Sequence, residues 1–293
     1  MLLARTALDA GWPPSRLYRT LAGEGWTRVP TGTWVEPERE LDLPMRLRAG
    51  QLAMPGLVAS HRAAAVLWRI EVLREELEFT DPCGKRRRAG ARTHWLRLPP
   101  EDVTTTRGLR VTTVARTLAD LLRGGPREEA LVAVDSALTW RRVGRVRRGP
   151  LIEVGAVAAA LEADGMPGAT RGRRWLGLAD PLAGSPAETV ARLRMRDAGL
   201  RPCAQVELLT PSGRGCRPDF FFREEGVVVE IEGYAYHGSR EAHRRDLARY
   251  NDLASCPGVR VVLRFGAEDI FNAPEAFVAR VRAAVATARA DGN

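Results

Sequence analysis

The residues best suited to chemistry concentrate in the segment RPDFFFREEGVVVEIEGYAYH, positions 217–237. Phe220–Phe222 and Val227–Ile231 are apolar, strand-like runs, and Arg223-Glu-Glu-Gly226 between them suits a four-residue hairpin loop. Pairing Phe222 with Val227 sets Asp219 opposite Glu230 and Arg217 opposite Glu232. The two-residue period of a strand then puts all four on one face, unless a bulge in the loop shifts the register by one. Two carboxylates facing each other across a sheet repel, by a raw Coulomb term on the order of 3 kcal/mol at about 5 Å and an effective dielectric of about 20. Either one acid is protonated or a cation lies between them. Arg217 is placed to neutralise Glu232, but no lysine is near enough in sequence to serve Asp219 and Glu230. A hard divalent cation, Mg²⁺ or else Mn²⁺, meets that need with oxygen ligands and can also engage a scissile phosphate. The expected metal ligands are Asp219, Glu230 and Glu232. The alternative is a solvent-facing acid pair on a sheet edge, which fits poorly with Val227–Val229, a uniformly apolar run that reads as a central strand.

The elements that must position these acids extend on both sides. Ser185-Pro-Ala-Glu188 reads as a helix start with serine at the N-cap, proline at N1 and glutamate at N3. Capping is a sufficient reason for Glu188, which is also a candidate to complete the metal cluster. His237 stands one loop beyond the Glu230 strand and could activate water or protonate a leaving oxygen; a plain loop histidine is the alternative. Glu241–Leu253 reads as a helix carrying Arg245 and Arg249, and Arg260–Phe265 as a strand carrying Arg264. These three arginines are the expected phosphate contacts. With Gln205–Leu209 as a first strand and Pro274–Ala288 as a closing helix, the order is helix, three strands, helix, strand, helix: an α/β domain over residues 181–293.

The chain has 293 residues with 45 basic and 36 acidic side chains, a formal charge of +9, and Lys85 is its only lysine. That excludes a Walker-type loop, a Schiff-base lysine and a lysine-bearing nuclease triad everywhere else. The charge is uneven: residues 1–180 carry 29 cations and 21 anions, residues 181–293 carry 16 and 15. A basic first part favours a polyanionic partner, nucleic acid above all, with solvated arginines as the alternative. Within residues 1–50, Leu2–Ala10 and Pro14–Gly23 read as helices about a Gly11-Trp-Pro-Pro turn, followed by a hairpin at Thr27–Val35. This is the pattern of a winged helix-turn-helix. Ser15, Arg16, Arg19 and Thr20 on the second helix, with Arg28 in the wing, would then meet double-stranded DNA. An ordinary helical subdomain with exposed arginines is the alternative.

Residues 51–180 read as a mainly helical middle domain and linker, with a serine cap at Ser60, an amphipathic helix at Thr113–Leu122 and a basic loop around Lys85-Arg-Arg-Arg88. His61 reads as a capping or packing residue. Cys83, Cys203, Cys216 and Cys256 show no CxxC spacing, which predicts neither a zinc site nor a disulfide framework. No apolar run is long enough to cross a bilayer and the first residues form no signal segment, so the expected location is cytoplasmic, without a membrane partner. Nothing in the pattern points to a particular oligomeric state.

Two resemblances follow from these motifs. The order of elements, with Pro218-Asp219 and Glu230-Ile-Glu232, resembles the PD-(D/E)XK restriction-endonuclease-like fold. More closely, residues about 185–285 resemble an uncharacterised bacterial domain family related to very-short-patch repair (Vsr-type) endonucleases. The matching residues are Ser185-Pro-Ala-Glu188, Asp219, Glu230-Ile-Glu232-Gly-Tyr-Ala-Tyr-His237, Arg245-Asp246-Leu-Ala-Arg249 and Val262-Leu-Arg264-Phe265. Glu232 stands where that family has aspartate, and the histidine comes one residue later. Residues 1–180 resemble antitoxins of the abortive-infection AbiEi type, from type IV toxin–antitoxin systems. The resemblance is carried by the opening helices, Gly32-Thr-Trp-Val, Ser60-His-Arg-Ala-Ala-Ala, Val111-Thr-Thr-Val-Ala-Arg-Thr-Leu-Ala-Asp and Ala133-Val-Asp-Ser-Ala-Leu. Together they imply a DNA-binding protein with a metal-dependent endonuclease or nickase domain. The alternative they imply is a repressor of its own operon, with a cognate toxin as partner and an inactive nuclease-like domain.

Overall fold

Short strands and capped helices alternate through residues 1–29, 32–83, 90–162, 166–232 and 240–291, which the computed structural model describes. The chain is a multidomain α/β protein with two compact units, residues 1–137 with 142–177, and residues 138–141 with 178–293. The basic Lys85-Arg-Arg-Arg88 run lies outside the described residues.

In the first unit, the expected Leu2–Ala10 helix is shorter. Leu2 and Leu3 pair with Trp34 and Thr33 as a strand, and the helix runs Ala4–Asp9. Sheet pairing claims the two leucines that helical periodicity would also have accepted. Pro14–Gly23 is a helix as read, with proline at its start and Leu17 and Leu21 buried one turn apart. Thr27–Val29 and Thr33–Val35 pair antiparallel, which completes a three-stranded sheet.

The middle region contains more than helices. Its centre is a five-stranded mixed sheet in the order Arg92–His94, Glu78–Thr80, Val58–Ala59, Leu109–Thr112, Val103–Thr106. The reading as mainly helical misses this sheet because its strands are too short to display an alternating pattern. Val114–Gly124 is the amphipathic helix, capped by Thr113, stopped at Gly124-Gly125, and buried along Leu118, Leu121 and Leu122. It also buries three charged side chains, Arg116, Asp120 and Arg123. Arg116 is held by Asp120 at 3.0 Å and Asp102 at 2.6 Å.

A second buried charge network lies on the sheet. Arg62 joins Glu78 at 3.0 Å and Glu129 at 2.9 Å. Burial works to raise the Glu78 carboxyl, but hydrogen bonds from His94 and Arg62 overcome it and hold the group down at about 2. Ser60 precedes the His61–Leu67 helix, yet its hydroxyl meets the His61 ring at 3.0 Å instead of capping the helix. His61 is a packing histidine, stacked on His94 with ring centroids 3.6 Å apart. Burial lowers its pKa to about 4.

The second unit is built on a four-stranded sheet in the order Cys203–Ala204, Phe220–Phe222, Val227–Glu232, Val261–Gly266. Val227–Val229 are fully buried, and their strand pairs on both sides: antiparallel to Phe220–Phe222, parallel to Val261–Gly266. The central-strand reading of the apolar run is thereby met. The expected first strand at Gln205–Leu209 is displaced. Cys203–Ala204 takes that edge, whereas Leu208–Leu209 pairs with Gly215–Cys216 in a separate hairpin. A short apolar run cannot say which of two neighbours it will pair with. Helix Pro274–Ala290 closes the fold, with Phe277 edge-on to Phe265 at 4.8 Å.

The loop between the two central strands fixes their register without a bulge, so that Phe222 faces Val227. Gly226 donates to Phe222 O at 2.8 Å, and its own carbonyl accepts from Arg260 N at 2.8 Å and Val261 N at 3.2 Å. One residue thus ends the hairpin turn and anchors the parallel strand. Its φ is +68°, and a Cβ there would stand 2.4 Å from Gly258 O. Gly226→Ala is expected to cost roughly 2–4 kcal/mol of stability in urea unfolding of the full chain. A loss below about 0.5 kcal/mol would reject this role for the glycine.

Candidate active site

Three separate elements bring three acids to one place. Asp219 immediately precedes the Phe220–Phe222 strand, Glu230 lies within Val227–Glu232, and Glu188 sits in the first turn of the Pro186–Asp197 helix. The register predicts Asp219 opposite Glu230, and the hydrogen bonds match. Asp219 N donates to Glu230 Oε1 at 3.2 Å, and Ile231 N donates to Asp219 Oδ2 at 2.8 Å. Each acid is tied to the other's strand.

Glu188 is more than a cap. Ser185 does cap the helix, its hydroxyl accepting from Glu188 N at 3.2 Å. The Glu188 carboxylate, however, accepts from Gly184 N at 2.7 Å and from Gln205 Nε2 at 3.2 Å. The same Gln205 amide nitrogen donates to Asp219 Oδ1 at 3.2 Å and so bridges the two acids. Gln205 carries a φ of +50°, a left-handed backbone that is strained for any residue but glycine. Its backbone N–H continues the sheet pairing by donating to Asp219 O at 3.0 Å.

Two expected pairings are rearranged. Arg217 does not neutralise Glu232; Arg264 does, and its guanidinium also lies 5.7 Å from the Tyr250 ring centroid. The parallel neighbour, invisible in a hairpin-only register, supplies the partner. Arg249 does not stand free for phosphate. Its Nε and Nη2 hold Glu230 Oε2 at 3.0 and 2.7 Å, and Nη2 also donates to Arg217 O at 3.2 Å. A cation for the Asp219–Glu230 pair therefore comes from a helix more than a dozen residues away, which spacing along the strand pair could not reveal.

One arginine does not satisfy the cluster. Burial, then the charge of Asp219, pushes the Glu188 carboxyl up to about 7. Burial also raises Asp219, against the pull of Ile231 N, Arg249 and Gln205. Glu230 is raised by burial and by Asp219, although Arg249 opposes both. Adjacent carboxylates that all resist ionising mark a place short of positive charge.

The donor set is oxygen-rich, which suits Mg²⁺ or Mn²⁺. Among the described residues, no group of three or more His, Cys, Asp or Glu side chains is arranged to enclose a metal. Glu230 is turned to Arg249 and Glu232 to Arg264, while Glu188 and Asp219 face each other across Gln205. His237 lies outside the described residues; Arg245 lies on the Arg240–Ser255 helix, but its side chain is outside them.

In the first unit, Ser15, Arg16 and Arg19 are exposed on the Pro14–Gly23 helix, opposite buried Leu17 and Leu21, with Thr20 half-buried. Arg16 lies 5.8 Å from the Trp12 ring centroid, and Arg28 5.7 Å from that of Tyr18. The aromatic partners were not singled out in the sequence, although Trp12 is 44% exposed.

No protein-family model and no curated protein matches this chain. A solved structure, that of the Rv2827c protein from Mycobacterium tuberculosis, is similar at 16% identity and a TM-score of 0.41, covering 70% of this chain and 80% of that one. Among the described residues, no helix is long and apolar enough to cross a membrane.

The raised Glu188 makes stability depend on pH with a definite sign. The folded state keeps a proton that the unfolded chain releases, so stability falls as pH rises from about 4.5 to about 7. Glu188→Gln removes this dependence. In urea unfolding at about pH 5 and about pH 8, the parent chain should lose on the order of 2 kcal/mol more than the variant. Equal losses would mean that the fold does not raise Glu188.

Proposed function

We propose that this chain is a DNA-binding protein whose second unit is a Vsr-like, restriction-endonuclease-like domain that cleaves phosphodiester bonds in DNA with a divalent metal ion. The observation that carries the reading is the convergence of buried Glu188 with half-buried Asp219 and Glu230, side by side and short of positive charge. An exposed acidic face would be solvated and would need no cation. The sheet supports the same reading, since its antiparallel central pair sets Asp219 across from Glu230, and the parallel neighbour brings Arg264 to Glu232.

Glu188, Asp219 and Glu230 would hold Mg²⁺ or Mn²⁺, with Glu232 beside them on the same strand face. When bound, the ion supplies Lewis-acid polarisation of the scissile phosphate and activation of water. Gln205 keeps Glu188 and Asp219 facing one another. Arg249 guards Glu230 until a phosphate offers the guanidinium a better partner, and Arg245 and Arg264 would bind neighbouring phosphates. His237 would move a proton to the leaving oxygen. The first unit would present Ser15, Arg16, Arg19 and Thr20 to double-stranded DNA as the recognition helix of a winged helix-turn-helix, with Arg28 in the wing.

A second reading has its own support. Arg249 on Glu230 leaves only two acids facing each other, which suits a repressor with an inert nuclease-like domain and a cognate toxin. Supercoiled and mismatched DNA separate the two. Metal-dependent nicking that EDTA abolishes and Asp219→Ala lowers by at least roughly a hundredfold is the expected result. No nicking on either substrate, or equal nicking by the variant, would sink the enzyme reading and favour the repressor.

DNA binding is tested apart from cleavage. Arg16→Ala with Arg19→Ala should weaken a gel shift on the upstream DNA and reduce the slope of log affinity against log salt by about 2. An unchanged slope would remove that helix from the interface.

A further inference from the structure

The Gly215–Cys216 strand packs against the Arg240–Ser255 helix, and the two enclose a cavity of about 330 Å³. Arg214, Arg217, Arg249 and Asp252 line it, and its other lining residues carry no charge. The hairpin turn that presents Arg214 is closed on itself: Thr210 N donates to Arg214 O at 2.9 Å, and Arg214 N to Thr210 Oγ1 at 3.0 Å. Arg214 also joins Asp252 at 2.8 Å, but its side chain is 67% exposed, and such pairs are weakly held. Arg249 commits Nε and Nη2 to Glu230 and Arg217 O, which leaves Nη1 uncommitted among the described residues. The exposed Arg217 guanidinium has no ion pair among the described residues. Charge is thus divided across a short distance. The acid cluster is short of positive charge, the cavity beside it is short of negative charge, and Arg249 belongs to both.

We propose that this cavity is a phosphate site, in which Arg214, Arg217 and Arg249 hold the anion by charge-assisted hydrogen bonds. A guanidinium presents its donors in a planar fork that matches phosphate oxygens. One carboxylate, Asp252, cannot neutralise three such groups, so it orients Arg214 and leaves the wall positive. The volume lies at the lower end of small-molecule sites, about 300–1,000 Å³, and admits a phosphate with its sugar attached. The site deepens the nuclease reading and rests on it for the source of the anion. A DNA strand whose scissile phosphate lies at the acids would set a neighbouring phosphate here. Free inorganic phosphate presents the same oxygens and is the other source. Because Arg249 is shared, the phosphate and the Glu230 carboxylate compete for one guanidinium, and binding of the anion loosens the hold on Glu230.

The test needs neither metal nor cleavage. The full chain, in EDTA and at constant ionic strength in chloride, is titrated by calorimetry with thymidine 5′-monophosphate, with inorganic phosphate and with thymidine as the uncharged control. Saturable phosphate binding is expected, weakened by about five- to tenfold in Arg217→Ala. Arg214→Ala, on the hairpin, should weaken it in the same direction and serves if the first variant misfolds. Glu230→Gln should tighten it by about threefold or more, since the amide leaves Arg249 its full charge. Tighter binding of the nucleotide assigns the source to a DNA strand, and equal binding assigns it to free phosphate; both uphold the site. Binding no stronger than that of thymidine overturns it. So does phosphate binding that the arginine variants leave unchanged, or that Glu230→Gln leaves unchanged, because phosphate held by Arg16 and Arg19 would be indifferent to all of them. A failure to nick DNA leaves this titration untouched, so the site and the nuclease reading fail separately.

Discussion

The second unit depends on the burial of like charges. Asp219 and Glu230 face each other because the Gly226 turn allows only one register, and Glu188 is brought against them from a helix before the sheet begins. Their repulsion is met in three ways at once. Backbone N–H groups of Gly184, Asp219 and Ile231 donate to them, the Gln205 amide bridges two of them, and Arg249 pairs with the third. The remaining imbalance appears as raised proton affinity across the cluster. Neutral donors such as an amide orient carboxylates but do not cancel their charge.

The first unit handles buried acids in the opposite way. Glu78 lies as deep as any acid of the cluster, yet its carboxyl is held near 2 because Arg62 and His94 bond to it directly. Asp120 is likewise paired with Arg116 and Arg123. An arginine presents several donors in a planar fork, so one guanidinium can satisfy two or three carboxylates while buried. In a chain with a single lysine, arginine is the means by which interior acids are closed off. The contrast between a saturated Glu78 and an unsaturated Glu188 distinguishes a structural network from a site that could receive a cation.

Much of the site was legible because a strand pair is a simple geometric object. A loop of known length fixes the register, the register fixes which residues are opposite, and the period of two fixes the face. That chain of inference reached the Asp219–Glu230 pair, the central strand and the capped helix start at Ser185. It did not reach Gln205, because its position gives no periodic signal and its importance comes from a left-handed backbone. Nor did it reach the five-stranded sheet of the first unit, where strands of two to four residues leave no pattern to read.

The sequence by itself determined the local matters: helix starts at Pro14, Thr113 and Ser185, the hairpin register about Gly226, the buried Val227–Val229 run and the placing of acids on one strand face. These depend on residues within a few positions of one another, where steric and hydrogen-bond rules act directly. Tertiary structure alone decided the partners. Arg249 went to Glu230, Arg264 to Glu232, and Gln205 between Glu188 and Asp219. Each of these contacts joins elements whose proximity is set by how helices and strands pack, and an electrostatic partner is chosen by distance in space rather than along the chain.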